Sequence, residues 1–161
     1  MMSVHVLVVE EGPCRDLIES LMGTGCRATH VDGYEGSIPP REELVAAFFN
    51  DGPSDPQNLT FPRIAWTQLT SEILSTVDVV LVKGDRLLGW HPRGETVDVT
   101  GVELALELRR QHGYTGRIFF YSTDPAIARR MMDEVDASYL ETAIAQHAFA
   151  PYFPLGVATT L

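Results

Sequence analysis

The chain has 161 residues, 45% of them apolar, which suits one globular domain with a single core and is too short for two full domains. Its 22 acidic and 12 basic residues give a formal net charge of −10. Such a charge repels phosphate backbones and anionic headgroups, and so argues against nucleic-acid or membrane-surface binding. Among the 12 basic residues Lys83 is the sole lysine and the rest are arginines, so any mechanism needing two lysines is excluded.

The N-terminus has no basic region and reaches Glu10-Glu11 after too few apolar residues for a signal sequence or a membrane span, which predicts a cytoplasmic, soluble protein. Val4 to Val9 is a nearly continuous β-branched and apolar run, as expected of a parallel strand covered on both faces. After Pro13, residues Cys14, Leu17, Ile18, Leu21 and Met22 repeat with helical spacing up to Gly23. A weaker strand is expected over Arg27 to Val31. The clearest strand is Val77 to Val82, and a further one is Arg117 to Tyr121. Between these two, a helix begins after Thr100-Gly101, has Val102, Leu104, Ala105, Leu106 and Leu108 as its apolar side, and ends at Arg109-Arg110, basic residues suited to a helix C-terminus. Another helix is expected from Pro125 through Ala128, Met131 and Met132 to about Val135.

This alternation predicts an α/β fold: three αβα layers around a doubly wound, five-stranded parallel sheet. Functional residues then belong at the carboxyl ends of the strands. Those ends carry Glu10 and Glu11, then Lys83 and Asp85, then Ser122, Thr123 and Asp124. Two insertions interrupt the pattern, at about 33–62 and 84–100. The first is expected to hold a short helix, Pro40 to Asn50, followed by a loop, Asp51 to Pro62. The second, with Trp90, His91, Pro92 and Gly94, is read as either functional or disordered.

The order of elements, with Val6-Leu7-Val8-Val9-Glu10-Glu11, Val77 to Lys83, Thr100 to Arg110, Ile118 to Thr123 and Asp136-Ala137-Ser138-Tyr139-Leu140, resembles the receiver domain of bacterial response regulators. The resemblance spans nearly the whole chain, read as one domain over 1–161, and implies the CheY-like version of the flavodoxin-like fold. It places Glu10 and Glu11 where the family holds Mg²⁺, and Lys83 where the family has its phospho-accepting aspartate. Ser122 and Thr123 fall at the switch hydroxyl. Tyr121, Met131, Met132 and Tyr139 fall on the face by which the family meets partners or dimerises.

The departures fall on the chemistry. Lys83 cannot form an acyl phosphate, and the family's conserved lysine would fall near Thr142. Pro151 and Pro154 leave only about Ala143 to Ala150 for the last helix, and another register puts the final strand at Ala148 to Leu155.

Three readings of the charged group are open. In the first, Lys83 is enclosed by Glu10, Glu11 and Asp85 as their internal counter-ion, replacing Mg²⁺. In the second, Lys83 and Asp85 are solvated loop residues. Or a slip of two residues makes Asp85 the acceptor, with Glu10, Glu11 and Asp85 binding Mg²⁺. Ser122 and Thr123 read either as a hydroxyl switch or as a helix cap. The histidines lack metal spacing, and Cys14 and Cys26 read as reduced, buried thiols.

The expected function is an atypical, stand-alone response-regulator or pseudo-receiver module in signal transduction: non-enzymatic, without a cofactor, acting on a protein partner or a second copy of itself. One alternative is an active phosphorelay receiver using Asp85 with Mg²⁺. Another is a small flavodoxin-like enzyme or nucleotide binder built on Glu10, Asp85, Trp90, His91 and Asp124.

Overall fold

The computed structural model describes residues 4–11, 18–19, 23, 25–35 and 63–139. The expected helix after Pro13 is described only at Ile18, Glu19 and Gly23. Cys14, the insertion from 36 to 62, Thr142 and both registers of the final strand and helix lie outside the described residues.

Among the described residues, six parallel strands form one sheet. They are β1 (His5–Val9), β2 (Arg27–Gly33), β3 (Arg63–Ala65), β4 (Val79–Lys83), β5 (Arg117–Tyr121) and β6 (Ser138–Tyr139), in the order β3-β2-β1-β4-β5-β6. Without β3 the order is that of a flavodoxin-like sheet. The expected five strands therefore become six. The chain returns from the first insertion and adds Arg63-Ile64-Ala65 to the outer edge of β2, a run too short to show a strand period in sequence.

β1 lies between β2 and β4 and is buried along its whole length, which explains its unbroken apolar pattern. Three described helices flank the sheet: α1 (Ser71–Leu74), α2 (Gly101–Arg110) and α3 (Pro125–Glu134). Thr100 and Glu103 form a reciprocal capping box at the start of α2, with Glu103 N donating to Thr100 Oγ1 at 3.3 Å and Thr100 N to Glu103 Oε2 at 3.0 Å. Gly101 is required by proximity, because a Cβ there would stand 1.8 Å from the Lys83 carbonyl oxygen. Its amide also donates to Asp85 O at 3.1 Å, so the start of α2 is pressed against the end of β4.

Arg109 does more than offset a helix dipole. Its guanidinium donates to the carbonyls of Val135 (2.9 Å), Tyr114 (3.0 Å), Gly116 (2.7 Å) and Asp136 (3.2 Å), and so ties the end of α2 to the start of β5 and the end of α3. On α3 the inner face is Ala128, Met131 and Val135. Met131 is fully buried, whereas Met132, one residue on, is exposed.

The second insertion is ordered. Arg86 and Thr100 form an antiparallel bridge, Leu87 N donates to Val99 O (2.9 Å) and Val99 N to Trp90 O (2.7 Å), and Leu87 and Trp90 are buried in the core. No helix among the described residues is long and apolar enough to cross a membrane. Cys26 is buried.

His5, at the start of β1, is buried between two partners. The Thr76 carbonyl can only accept, so Nδ1 carries the proton at 3.1 Å, and Nε2 accepts from Thr29 Oγ1 at 2.8 Å. Burial first, and then the charge of Arg27, lowers its pKa to about 4. Between pH about 6.5 and about 4 the unfolded chain therefore binds a proton that the folded chain refuses, so stability falls as pH falls across that window. The expected loss is about 3 kcal/mol at full effect, and urea midpoints at both ends of the window should fall less in His5→Gln than in wild type. In the same assay Gly101→Ala is expected to lose at least about 3 kcal/mol, because its Cβ meets backbone rather than a flexible side chain.

Candidate functional site

Parallel strands deliver their last residues to one edge of the sheet. β1 ends at Glu10 and Glu11, β4 at Lys83 and Asp85, and β5 at Tyr121 and Ser122. Lys83 and Tyr121 are directly paired in register, so their side chains leave the sheet on the same face.

The carboxylates of Glu10, Glu11 and Asp85 each accept from a donor at the end of another strand. Lys83 Nζ forms an ion pair with Glu11 Oε1, both side chains being about four-fifths buried. The Tyr121 hydroxyl donates to Glu10 Oε2 across the intervening strand β4. Ser122 Oγ donates to Asp85 Oδ1, and the Thr123 amide donates to Asp85 Oδ2 at 3.4 Å. Burial pushes the Glu10 carboxyl above its ordinary range. The Tyr121 hydroxyl opposes this, Glu11 adds to it, and Lys83 opposes it. His30, on β2, donates from Nε2 to the Glu10 carbonyl at 2.9 Å and is itself biased toward the neutral form by burial. Glu11 Oε2 is buried without a hydrogen-bond partner.

Among the described residues no group of three or more His, Cys, Asp or Glu side chains is placed to hold a metal ion. Beside this edge a cleft of about 440 Å³ is lined by Glu11, by residues at the end of β2 and by the second insertion, including Trp90 and His91. Glu10, Asp85 and Asp124 do not line it, so the five residues of the expected enzyme site are not gathered in one cavity. Trp90 is mainly a core residue, and Asp124 caps α3 by accepting from Ala126 N at 2.9 Å.

The sequence-derived positions fare unevenly. Lys83, Glu10, Glu11 and Asp85 share one edge, but Lys83 contacts Glu11 alone, not all three carboxylates. Ser122 is buried and faces Asp85, whereas Thr123 is exposed; neither caps α3, because Asp124 does. Of the expected interaction face, Met132 (48%) and Tyr139 (45%) are exposed, whereas Tyr121 and Met131 are buried. Tyr121 is turned inward by its bond to Glu10, and Met131 lies on the inner side of α3. Sequence reasoning missed the Tyr121 to Glu10 bond and the residues at the end of β2, Asp32 among them. The carboxyl-end rule could have found Asp32 had β2 been carried beyond Val31.

Breaking the central ion pair tests its weight. A double-mutant cycle on Lys83→Met and Glu11→Gln, read by urea unfolding, is expected to give a coupling of about 1–2 kcal/mol, above most exposed pairs and below a fully buried one. Coupling below about 0.3 kcal/mol would show two independently solvated charges.

No family model matches the sequence, and no curated protein matches it. Among solved structures, the signal receiver domain of a modulated diguanylate cyclase from Desulfovibrio desulfuricans G20 superposes with a TM-score of 0.53 at 19% identity, covering 98% of this chain and 96% of that one. The bacteriophytochrome response regulator RtBRR gives 0.49 at 13% identity, covering 97% and 78%. The RcsB response regulator of Salmonella typhimurium gives 0.49 at 12% identity, covering 99% and 60%. Taken with the strand order and the helices between the strands, the first of these shows that the chain has a flavodoxin-like α/β fold, similar to that of the receiver domain it superposes on.

Proposed function

We propose that the chain is a receiver-like signalling module that has given up phosphoryl acceptance and acts in the cytoplasm through contact with a protein partner, without catalysis of its own. The observation that carries this reading is the Lys83 to Glu11 ion pair at the end of β4. Phosphoryl transfer to a receiver needs a carboxylate nucleophile and a metal ion that neutralises the developing charge. Here the nucleophile position holds an ammonium, and that ammonium occupies a carboxylate a cation would need.

The donor set does not fit Mg²⁺, which demands near-octahedral oxygen ligation with several retained waters. Glu11 is committed to Lys83, Glu10 to the Tyr121 hydroxyl, and both oxygens of Asp85 to Ser122 and Thr123. The same bonds weigh against Asp85 as a substitute acceptor. A nucleotide-binding reading is weakened by the sequence after β1, Glu10-Glu11-Gly12-Pro13, which has two carboxylates where a dinucleotide fold needs glycines and bare amides for pyrophosphate.

The test is an NMR titration of the ¹⁵N-labelled chain with Mg²⁺ and beryllium fluoride, which together mimic an acyl phosphate. The amides of Glu10, Glu11, Asp85 and Ser122 are expected to stay in place in wild type, and Lys83→Asp is expected to gain a response. A saturable response centred on Asp85 in wild type would establish an active receiver instead.

A further inference from the structure

The second insertion carries the two most exposed large apolar side chains among the described residues, Leu88 at 63% and Val97 at 72%. Both stand on a loop that is firmly held. Its arms are tied by the bridge between Arg86 and Thr100 and by the bond from Leu87 N to Val99 O, and Gly89 N donates to Asp98 Oδ1 at 3.2 Å. Leu87 and Trp90 anchor it in the core, and Val99 packs against them there. A loop fixed in this way presents Leu88 and Val97 to solvent with little left to order on binding, as a contact surface requires and a bare connection does not.

The tip of the loop supplies charge of both signs. Pro92-Arg93-Gly94-Glu95 is a tight turn in which Glu95 N donates to Pro92 O at 3.0 Å and Gly94 takes a positive φ of 85° at the third position. Arg93 and Glu95 therefore stand on either side of one glycine, both exposed and neither ion-paired among the described residues. Asp85 is held by Ser122, and the remaining charges of the loop balance, Arg86 and Arg93 against Glu95 and Asp98, although the chain as a whole carries −10. A second copy of the chain, opposed by like charge overall, meets no net charge from this loop.

We infer that the second insertion is a self-association surface, on which a second copy packs its own Leu88 and Val97 about a two-fold axis, with Arg93 of each copy against Glu95 of the other. A contact of this kind is self-complementary, because the axis that brings Arg93 to Glu95 brings Glu95 to Arg93 as well. The apolar pair supplies the buried area and the charges fix the register. One loop covers less than a standard interface, so the dimer is weak and depends on concentration. The inference goes beyond the proposed function and holds whether or not the Lys83 edge accepts a phosphoryl group.

Sedimentation velocity on the full chain tests it. Wild type is expected to pass from monomer to dimer between about 10 and about 500 μM. Leu88→Ser combined with Val97→Ser, at two exposed positions, is expected to weaken the dimer at least about tenfold while leaving thermal unfolding unchanged. Arg93→Glu alone and Glu95→Arg alone are each expected to weaken it about tenfold. An equimolar mixture of these two variants, and the chain carrying both substitutions, should each associate again, because opposite charges then meet at both contacts. The inference is overturned by a wild-type chain that stays monomeric over this range, by a dimer indifferent to the Leu88 and Val97 substitutions, by a mixture of the two charge variants that associates no better than either alone, or by a dimer lost on Met132→Ser with the loop intact. None of these substitutions touches Lys83, Glu11 or Asp85, so the outcome is separable from that of the beryllium fluoride titration.

Discussion

Like charges brought together at the end of a parallel sheet must be neutralised, and in this chain a lysine does it. β1 and β4 are adjacent, so their exits place Glu10, Glu11 and Asp85 at one edge. Three carboxylates there repel one another and push the loops apart unless each gains a donor. Among the described residues, Lys83 brings the positive charge to this edge through its ion pair with Glu11, while Tyr121 and Ser122 supply hydroxyls to the other two carboxylates. Burial first, and the charge of Glu11 after it, pushes the Glu10 carboxyl above its ordinary range.

The backbone around the pair is arranged to keep it in place. Gly101 lets α2 begin directly against the Lys83 carbonyl, and its amide holds Asp85, so the end of β4 has little room to shift. The second insertion leaves this point and returns to it through the Arg86 to Thr100 bridge, with Leu87 and Trp90 buried in the core. The strand end, the helix start and the loop are thus one packed unit. A lysine in this unit holds its carboxylate without a ligand, whereas a divalent ion would have to displace bonds already made.

Much of the fold could be read from the sequence because local and tertiary demands agree there. The unbroken apolar run of β1 follows from its central place in a parallel sheet, and Thr100 with Glu103 marks the start of α2 as a capping box. β3 could not be read, because its three residues have no period and exist as a strand only through pairing with β2. At the site, proximity of Lys83 to the acidic pair followed from strand order alone. The choice of partner did not: that Glu11 takes the lysine and Glu10 the Tyr121 hydroxyl depends on side-chain reach across β4. The inward turn of Met131 was within reach of helical phase, since Ala128, Met131 and Val135 repeat on one side of α3 and Met132 does not. Ser122 stayed open between a hydroxyl switch and a cap because Ser-Thr-Asp-Pro offers three capping residues in a row, and it is the contacts of Ser122 with Asp85 and of Asp124 with Ala126 N that separate their roles.

The central claim is that the Lys83 ammonium is this site's own cation. Because Lys83 is the only lysine in the chain, selective ¹³C,¹⁵N-lysine labelling gives one side-chain ammonium signal with no assignment problem. The account predicts a slowly exchanging ammonium resonance with a through-hydrogen-bond coupling to the Glu11 carboxylate, unchanged when millimolar Mg²⁺ is added. A freely exchanging ammonium, or one released by Mg²⁺, would contradict it.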